Sequence, residues 1–394
     1  MPLSRLSMAV IACAAAVLVA ACESTPDGPP PPPPPPVDLA WQEVSLTVPP
    51  GPPGRLVTGD ATRCGDRWYL VGAVASGAAA EPETRPAAWE SADGRNWSAM
   101  TLQPLTYYGH QAMLYSVGCR DGKIAVLGAK RGGAHGNPRV TNWFLSAPHT
   151  LRQVEAAFSL FGGPVAVNVS RIDGGRDGWL ISGNRTSGAA VWNSADAVDF
   201  ALLEGVAPLA GVEGFDTWGS DAVWAGDRWV AVGGVLRKGR IDRDPIAWSS
   251  TDGLTWQQQE PPSTPEYEEM QRVVATDAAV VAIGLDGGSF RAWRSVDGSW
   301  RPAGRFGTTA GIRPPQALSL TVIGSKLIAT TVNNVGFSAW VSEDAGDTWR
   351  QLTTPIELFA ANDRSMVAAG GGGSTLLLVD DAQVSRVWMA VVTP

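Results

Sequence analysis

The chain has 394 residues, 44% of them apolar and 17% charged, with 45 Gly, 30 Pro and 17 Trp. That apolar content supports a sizeable core and excludes a disordered chain kept in solution by its charges. The net charge of −8 excludes a protein that coats nucleic acid by neutralising phosphates.

The first element reads as an export signal. Arg5 precedes an apolar run from Met8 to Ala21, too short for a membrane-spanning helix, which needs about 20 residues. The run ends Val19-Ala20-Ala21-Cys22, which resembles a bacterial lipobox; the resemblance implies cleavage before Cys22 and a lipid anchor on its thiol. An ordinary cleaved signal is the alternative. The unbroken run Pro29–Pro36 comes next. Proline fixes φ and removes the amide donor, so this run reads as a polyproline II rod of about 3.1 Å per residue. The expected organisation is a signal peptide over 1–21, a lipidated tether over 22–38 and a folded domain over 39–394, exported and held on a bacterial membrane. Cys64 and Cys119 each end an expected strand just before a turn. In an oxidising compartment they are either a disulfide or two buried thiols.

Beyond the tether the chain repeats itself. Trp89, Ser91, Asp93, Gly94 and Trp97 return as Trp248, Ser250, Asp252, Gly253 and Trp256, and again as Trp293, Ser295, Asp297, Gly298 and Trp300. The fullest copy runs from Ser342 through Asp344 and Gly346 to Trp349; a worn one holds Trp192, Ser194, Asp196 and Phe200. The leading aromatics are Trp89, Phe144, Trp192, Trp248, Trp293, Trp340 and Trp388. Intervals of roughly 50 residues, each holding four short strands and no helical period, are the pattern of β-propeller blades. The expected fold is all-β, with seven blades over 54–108, 109–164, 165–210, 211–265, 266–309, 310–358 and 359–394. The last segment holds only three strands, so the strand signal in 39–48 is expected to supply the fourth and close the ring.

The hairpins resemble the Asp-box, or BNR, repeat, Ser-x-Asp-x-Gly-x-Thr-Trp, which Ser342–Trp349 matches at every fixed position. The resemblance implies a sialidase-like propeller in which Asp93, Asp196, Asp252, Asp297 and Asp344 bond turn amides. It also implies a test for catalysis. Sialidases clamp a carboxylate with three Arg and use a Tyr nucleophile beside a Glu, with an Asp as acid/base. The matching positions are Arg55, Arg313 and Arg364, then Tyr267 with Glu268, and Asp60. Two departures oppose this reading: seven blades against six, and a segment Gly54–Val57 that lacks the family's aromatic and Pro.

Only three His are present, in separate loops, so neither a metal site nor a cofactor is expected. The loops between second and third strands make the top face, where charge is uneven. Lys130, Arg131 and Arg139 lie in blade two, Arg185 in blade three, and Arg237, Lys238 and Arg240 in blade four, with Tyr107, Tyr108 and Trp218 nearby. Guanidinium forks beside aromatic faces suit an anionic glycan, an envelope polymer or an acidic exported protein. The leading reading is a non-catalytic, monomeric envelope lipoprotein; the alternative is a sialidase-like glycosidase.

Overall fold

The computed structural model describes residues 34–77, 83–130, 138–311 and 314–392. Expectations that fall on the signal, Cys22, most of the proline run, Arg131 and Arg313 lie outside these residues. The described chain forms seven sheets; five run from an inner to an outer strand in chain order, and the second and the last each take their outermost strand from elsewhere in the chain. The inner strands are Arg55–Cys64, Met113–Arg120, Ala166–Gly174, Phe215–Trp224, Glu268–Ala275, Gln316–Ile323 and Ser365–Gly371. These are the blades of a seven-bladed β-propeller, and each begins within the segment expected for it.

Closure follows the expected route. Gln42–Val44 pairs antiparallel with the third strand of blade seven, Gln42 opposite Met389 and Val44 opposite Val387. The segment also reaches blade one: the Trp89 indole donates to the Thr47 carbonyl at 2.6 Å, and the Thr47 hydroxyl donates to the Trp97 carbonyl at 2.5 Å. Just upstream, Val37 lies parallel to Leu352 on the outer edge of blade six. That fourth strand runs from the hairpin side, the bottom, towards the top. The chain therefore joins the propeller from below, where Arg350 donates to the Pro35 carbonyl. Blade two gains a fifth strand, because Thr101–Gln103, leaving blade one, pairs parallel with Thr150–Gln153. Both additions cover outer edges that would otherwise offer unpaired backbone.

The core lies between blades. Trp68, Trp89, Trp143, Trp192, Trp248 and Trp293 are fully buried. In blade two, register places Trp143, not Phe144, at the leading aromatic position. Gly128 pairs with Thr141 just as Gly72 pairs with Ala87 in blade one, and the aromatic follows two residues later. The expected Phe144 is one residue late because the blade-two hairpin has its own length and a register shift at Thr150. Many glycines lie where an inner strand crowds the second strand. A Cβ on Gly233 would sit 1.8 Å from the Trp218 carbonyl, and one on Gly284 1.8 Å from that of Glu269. Cys64 and Cys119 are disulfide-bonded with Cα atoms 5.3 Å apart, joining the inner strands of blades one and two at the bottom.

Candidate functional site

The bottom of the ring is built from one device used four times. The Asp93 carboxylate accepts the amides of Arg95 and Asn96 and pairs with the Ser91 hydroxyl. Asp196 does the same with Val198, Asp199 and Ser194, and Asp252 with Leu254, Thr255 and Ser250. Asp344 takes the amide and hydroxyl of Thr348 and pairs with Ser342. The closing indoles of Trp97, Trp256 and Trp349 donate to the carbonyls of Gly94, Gly253 and Gly346. Amides of Thr255 and Leu254 hold the Asp252 carboxyl down at about 2, and those of Asn96 and Arg95 depress Asp93. Asp297 departs from the expectation. Its hairpin is a two-residue turn with Asp297 at φ 50° and Gly298 at φ 81°, and among the described residues its carboxylate accepts no turn amide. The shorter spacing leaves no amide for it to cap, and Trp300 donates instead to Gln259.

The central channel holds a charge web that the sequence did not reveal. Inner strands of blades one to six each carry a register shift, and the residues just past it are Asp60, Ser116, Arg171, Asp221, Arg272 and Ser319. Four of these accept an amide from the next blade: Asp60 from Val117, Ser116 from Ile172, Asp221 from Val273 and Ser319 from Ala368. The two Arg reach further. Arg171 donates to Asp60 at 3.2 Å and to the Leu318 carbonyl at 3.0 Å, and Arg272 donates to the same carbonyl at 2.8 Å. Burial raises the Asp60 and Asp221 carboxyls, and burial beside Arg171 lowers the Arg272 guanidinium to about 10. Nearby, burial pushes Asp173 up to about 7. Links of this kind stitch blades together and fill the channel with committed charge.

Among the residues matched to sialidase roles, Arg55 pairs with Asp380 across the ring closure at 2.7 Å. Arg364 donates to the Phe359 carbonyl. Asp60 lies in the channel web described above. Tyr267 is hydrogen-bonded to Glu269 at 2.6 Å, and the same carboxylate pairs with Arg243 at 3.1 Å. Glu268 faces the other way: it is fully buried and accepts the Thr264 amide. Side chains two apart share a strand face, so Glu269 rather than Glu268 is the partner the period predicts. Burial, then the Glu269 carboxylate, raise the Tyr267 phenol.

The cations of the expected basic arc divide into two groups. Arg185, its side chain 3% exposed, is paired with Glu204. Arg237 is paired with Asp244 and Glu260, and Arg240 with Asp244. Trp218 is stacked beneath Arg243. These cations brace the tops of blades three to five. Lys130, Arg139 and Lys238 make no ion pair among the described residues. Lys130 lies 6.0 Å over Tyr107 and donates to Gln111, while Arg139 lies 4.4 Å over Phe158 and 5.7 Å from Tyr108.

Arg139 stands at a cleft of about 550 Å³ between blades two and three, whose walls include Met113, Tyr115, Val140, Phe161, Ala166 and Val169. Its Nε is buried without a partner. Residue by residue the sequence had marked Arg139, Lys130, Tyr107 and Tyr108. The apolar interior behind them was missed, because its walls come from three separated segments. Among the described residues no group of three His, Cys, Asp or Glu is placed to hold a metal ion, and no helix is long and apolar enough to cross a membrane.

No protein-family model matches the chain, and no curated protein matches it. Solved structures do. The β-propeller domain of the Trilobed protease from Pyrococcus furiosus aligns with a TM-score of 0.50 and 9% identity, over 86% of this chain and 96% of that one. A polysaccharide lyase, an ulvan lyase of family PL25, aligns with a TM-score of 0.50 and 11% identity, over 89% of this chain and 96% of its own. Its complex with -[GlcA(1-4)Rha3S]- gives the same TM-score at 12% identity. At such identities the likeness establishes the β-propeller fold.

Proposed function

We propose that this protein is a non-catalytic module of the cell envelope whose top face, at the junction of blades one to three, binds an anionic envelope component. The observation that carries the reading is Arg139: a guanidinium held on Phe158 at 4.4 Å, with a buried, unpartnered Nε, at the mouth of the cleft. A cation held on an aromatic ring and lacking a carboxylate is prepared for a ligand's anion. Lys130 and Tyr107 extend the same surface. The repeated carboxylate hairpins fit the Asp-box pattern, whose role in this reading is to fold the ring. A tether lipidated at Cys22 complements this arrangement. Pro35 and Val37, the residues of the propeller unit nearest that tether in sequence, lie against blade six. The test is affinity for an acidic polysaccharide: it should fall at least about tenfold in Arg139→Gln, the scale of a charge-assisted bond. Equal affinity in the variant would defeat the reading.

A second reading, a sialidase-like hydrolase, is favoured by one observation, the 2.6 Å bond from the Tyr267 phenol to Glu269. That pair can pass the phenol proton to the carboxylate as the oxygen attacks. Against it, Arg55 is committed to Asp380, which leaves it unfit for a substrate carboxylate. Turnover of a fluorogenic sialoside, abolished by Tyr267→Phe, would establish the second reading over the first.

A further inference from the structure

The chemistry of the ligand is constrained by the cleft walls. Among the described residues three polar side chains line it: Arg139, Tyr115 and Asn168. Two of them are satisfied within the protein. The Tyr115 hydroxyl donates to the Val169 carbonyl at 3.0 Å, and the Asn168 amide donates to Ser170 while its oxygen accepts from Asn184. Among the described residues the lining side chains therefore present mainly hydrocarbon and ring carbon, and Arg139 is the one polar side chain of that lining with an unused donor. A sugar ring placed there would meet few side-chain partners for its hydroxyls, and each hydroxyl buried without a partner costs about 1–3 kcal/mol. A hydrocarbon chain would bury nothing polar. The volume of about 550 Å³ lies within the usual range of small-ligand sites. The rim agrees: Phe158 and Val167, which line the cleft, and Tyr108, whose ring lies beside Arg139, are exposed.

We propose that the cleft between blades two and three binds an acyl-chain carboxylate, with its tail among Met113, Val140, Phe161 and Val169 and its head group on Arg139. The inference rests on the reading of this face as an anion-binding surface and specifies what enters the cleft. Charge complementarity selects the sign of the head group, because no carboxylate among the described residues pairs with Arg139. Wall chemistry selects the tail.

Isothermal titration of the full chain with hexanoate, octanoate and decanoate, below their micelle concentrations, tests this directly. Affinity should rise about fourfold per added methylene, the value of burying one CH₂. Arg139→Gln should weaken decanoate at least about tenfold and leave decanol unchanged. Ala166→Phe, which fills the cleft from its edge, should abolish both. A series flat in chain length, decyltrimethylammonium binding as tightly as decanoate, or an Arg139→Gln variant like the wild type would overturn the proposal. If an acidic polysaccharide binds through Arg139 while the carboxylates do not, the inference fails and the function proposed above stands. If neither binds, both fail.

Discussion

The bottom of blades one, three, four and six repeats one arrangement around Asp93, Asp196, Asp252 and Asp344, and each carboxylate there is bonded to its own turn. The top junctions described above differ from one another. In blades three to five Arg185, Arg237, Arg240 and Arg243 are paired with Glu204, Asp244 and Glu269, whereas the junction of blades two and three leaves Arg139 without a carboxylate partner among the described residues, over an apolar cleft. Repetition in four blades marks a device that serves folding. A recognition site needs one copy, and its mark is a group prepared and left unused.

The largest effect should come from removing the seam that both ends share. Deleting 38–48 exposes the Ser385–Val391 edge and strips the Thr47 contacts from Trp89 and Trp97. The expected product aggregates; an unchanged melting temperature by calorimetry would refute closure by this strand. Next in size, Gly284→Ala places a Cβ 1.8 Å from the Glu269 carbonyl, which neither backbone can accommodate without moving. Chemical denaturation should register a loss of about 2 kcal/mol or more. At the bottom, Asp252→Ala removes the acceptor of two amides and should cost about 1–2 kcal/mol. Asp297→Asn, where no turn amide is bonded, should stay within about 0.5 kcal/mol. Equal losses at both sites would break the distinction between the hairpins.

Stability against pH gives a finer test, and its sign differs between regions. The depressed carboxyls of Asp93, Asp196 and Asp252 add stability above the unfolded carboxylate range and lose it as pH falls through their folded values. Asp173 does the opposite. Its folded value of about 7 lies above the ordinary 3.8, so the folded state holds the proton longer and stability falls as pH rises from about 4 to 7. Asp173→Asn should flatten that segment of the profile while leaving the acid limb unchanged. A parallel profile would contradict the buried assignment.

Much of this was legible in the sequence. Blade boundaries and the closing strand follow from periodicity, and periodicity is a local property; the choice between a disulfide and two thiols at Cys64 and Cys119 needed the fold. What failed was one step less local. Phe144 was taken for Trp143 because the spacing was counted from a hairpin of different length, which only cross-strand register corrects. Adjacency pairs Tyr267 with Glu268, whereas alternation along a strand places Glu269 on the same face. Counting charge over the top loops could not separate cations with partners from those without. Arg237 meets Asp244 across its own hairpin, while Arg139 meets rings from two other segments. Arg171 and Arg272 enter the channel through strand irregularities that leave no mark in composition.

The central claim is that folding belongs to the repeated bottom and binding to the single top junction. Melting temperature and acidic-polysaccharide affinity, measured side by side for Arg139→Gln and Asp252→Ala, test it most directly. The account predicts that Arg139→Gln loses affinity at least about tenfold with its melting temperature unchanged, and that Asp252→Ala melts earlier yet binds normally while folded. An Arg139→Gln variant that binds like the wild type, or a folded Asp252→Ala that does not bind, would contradict it.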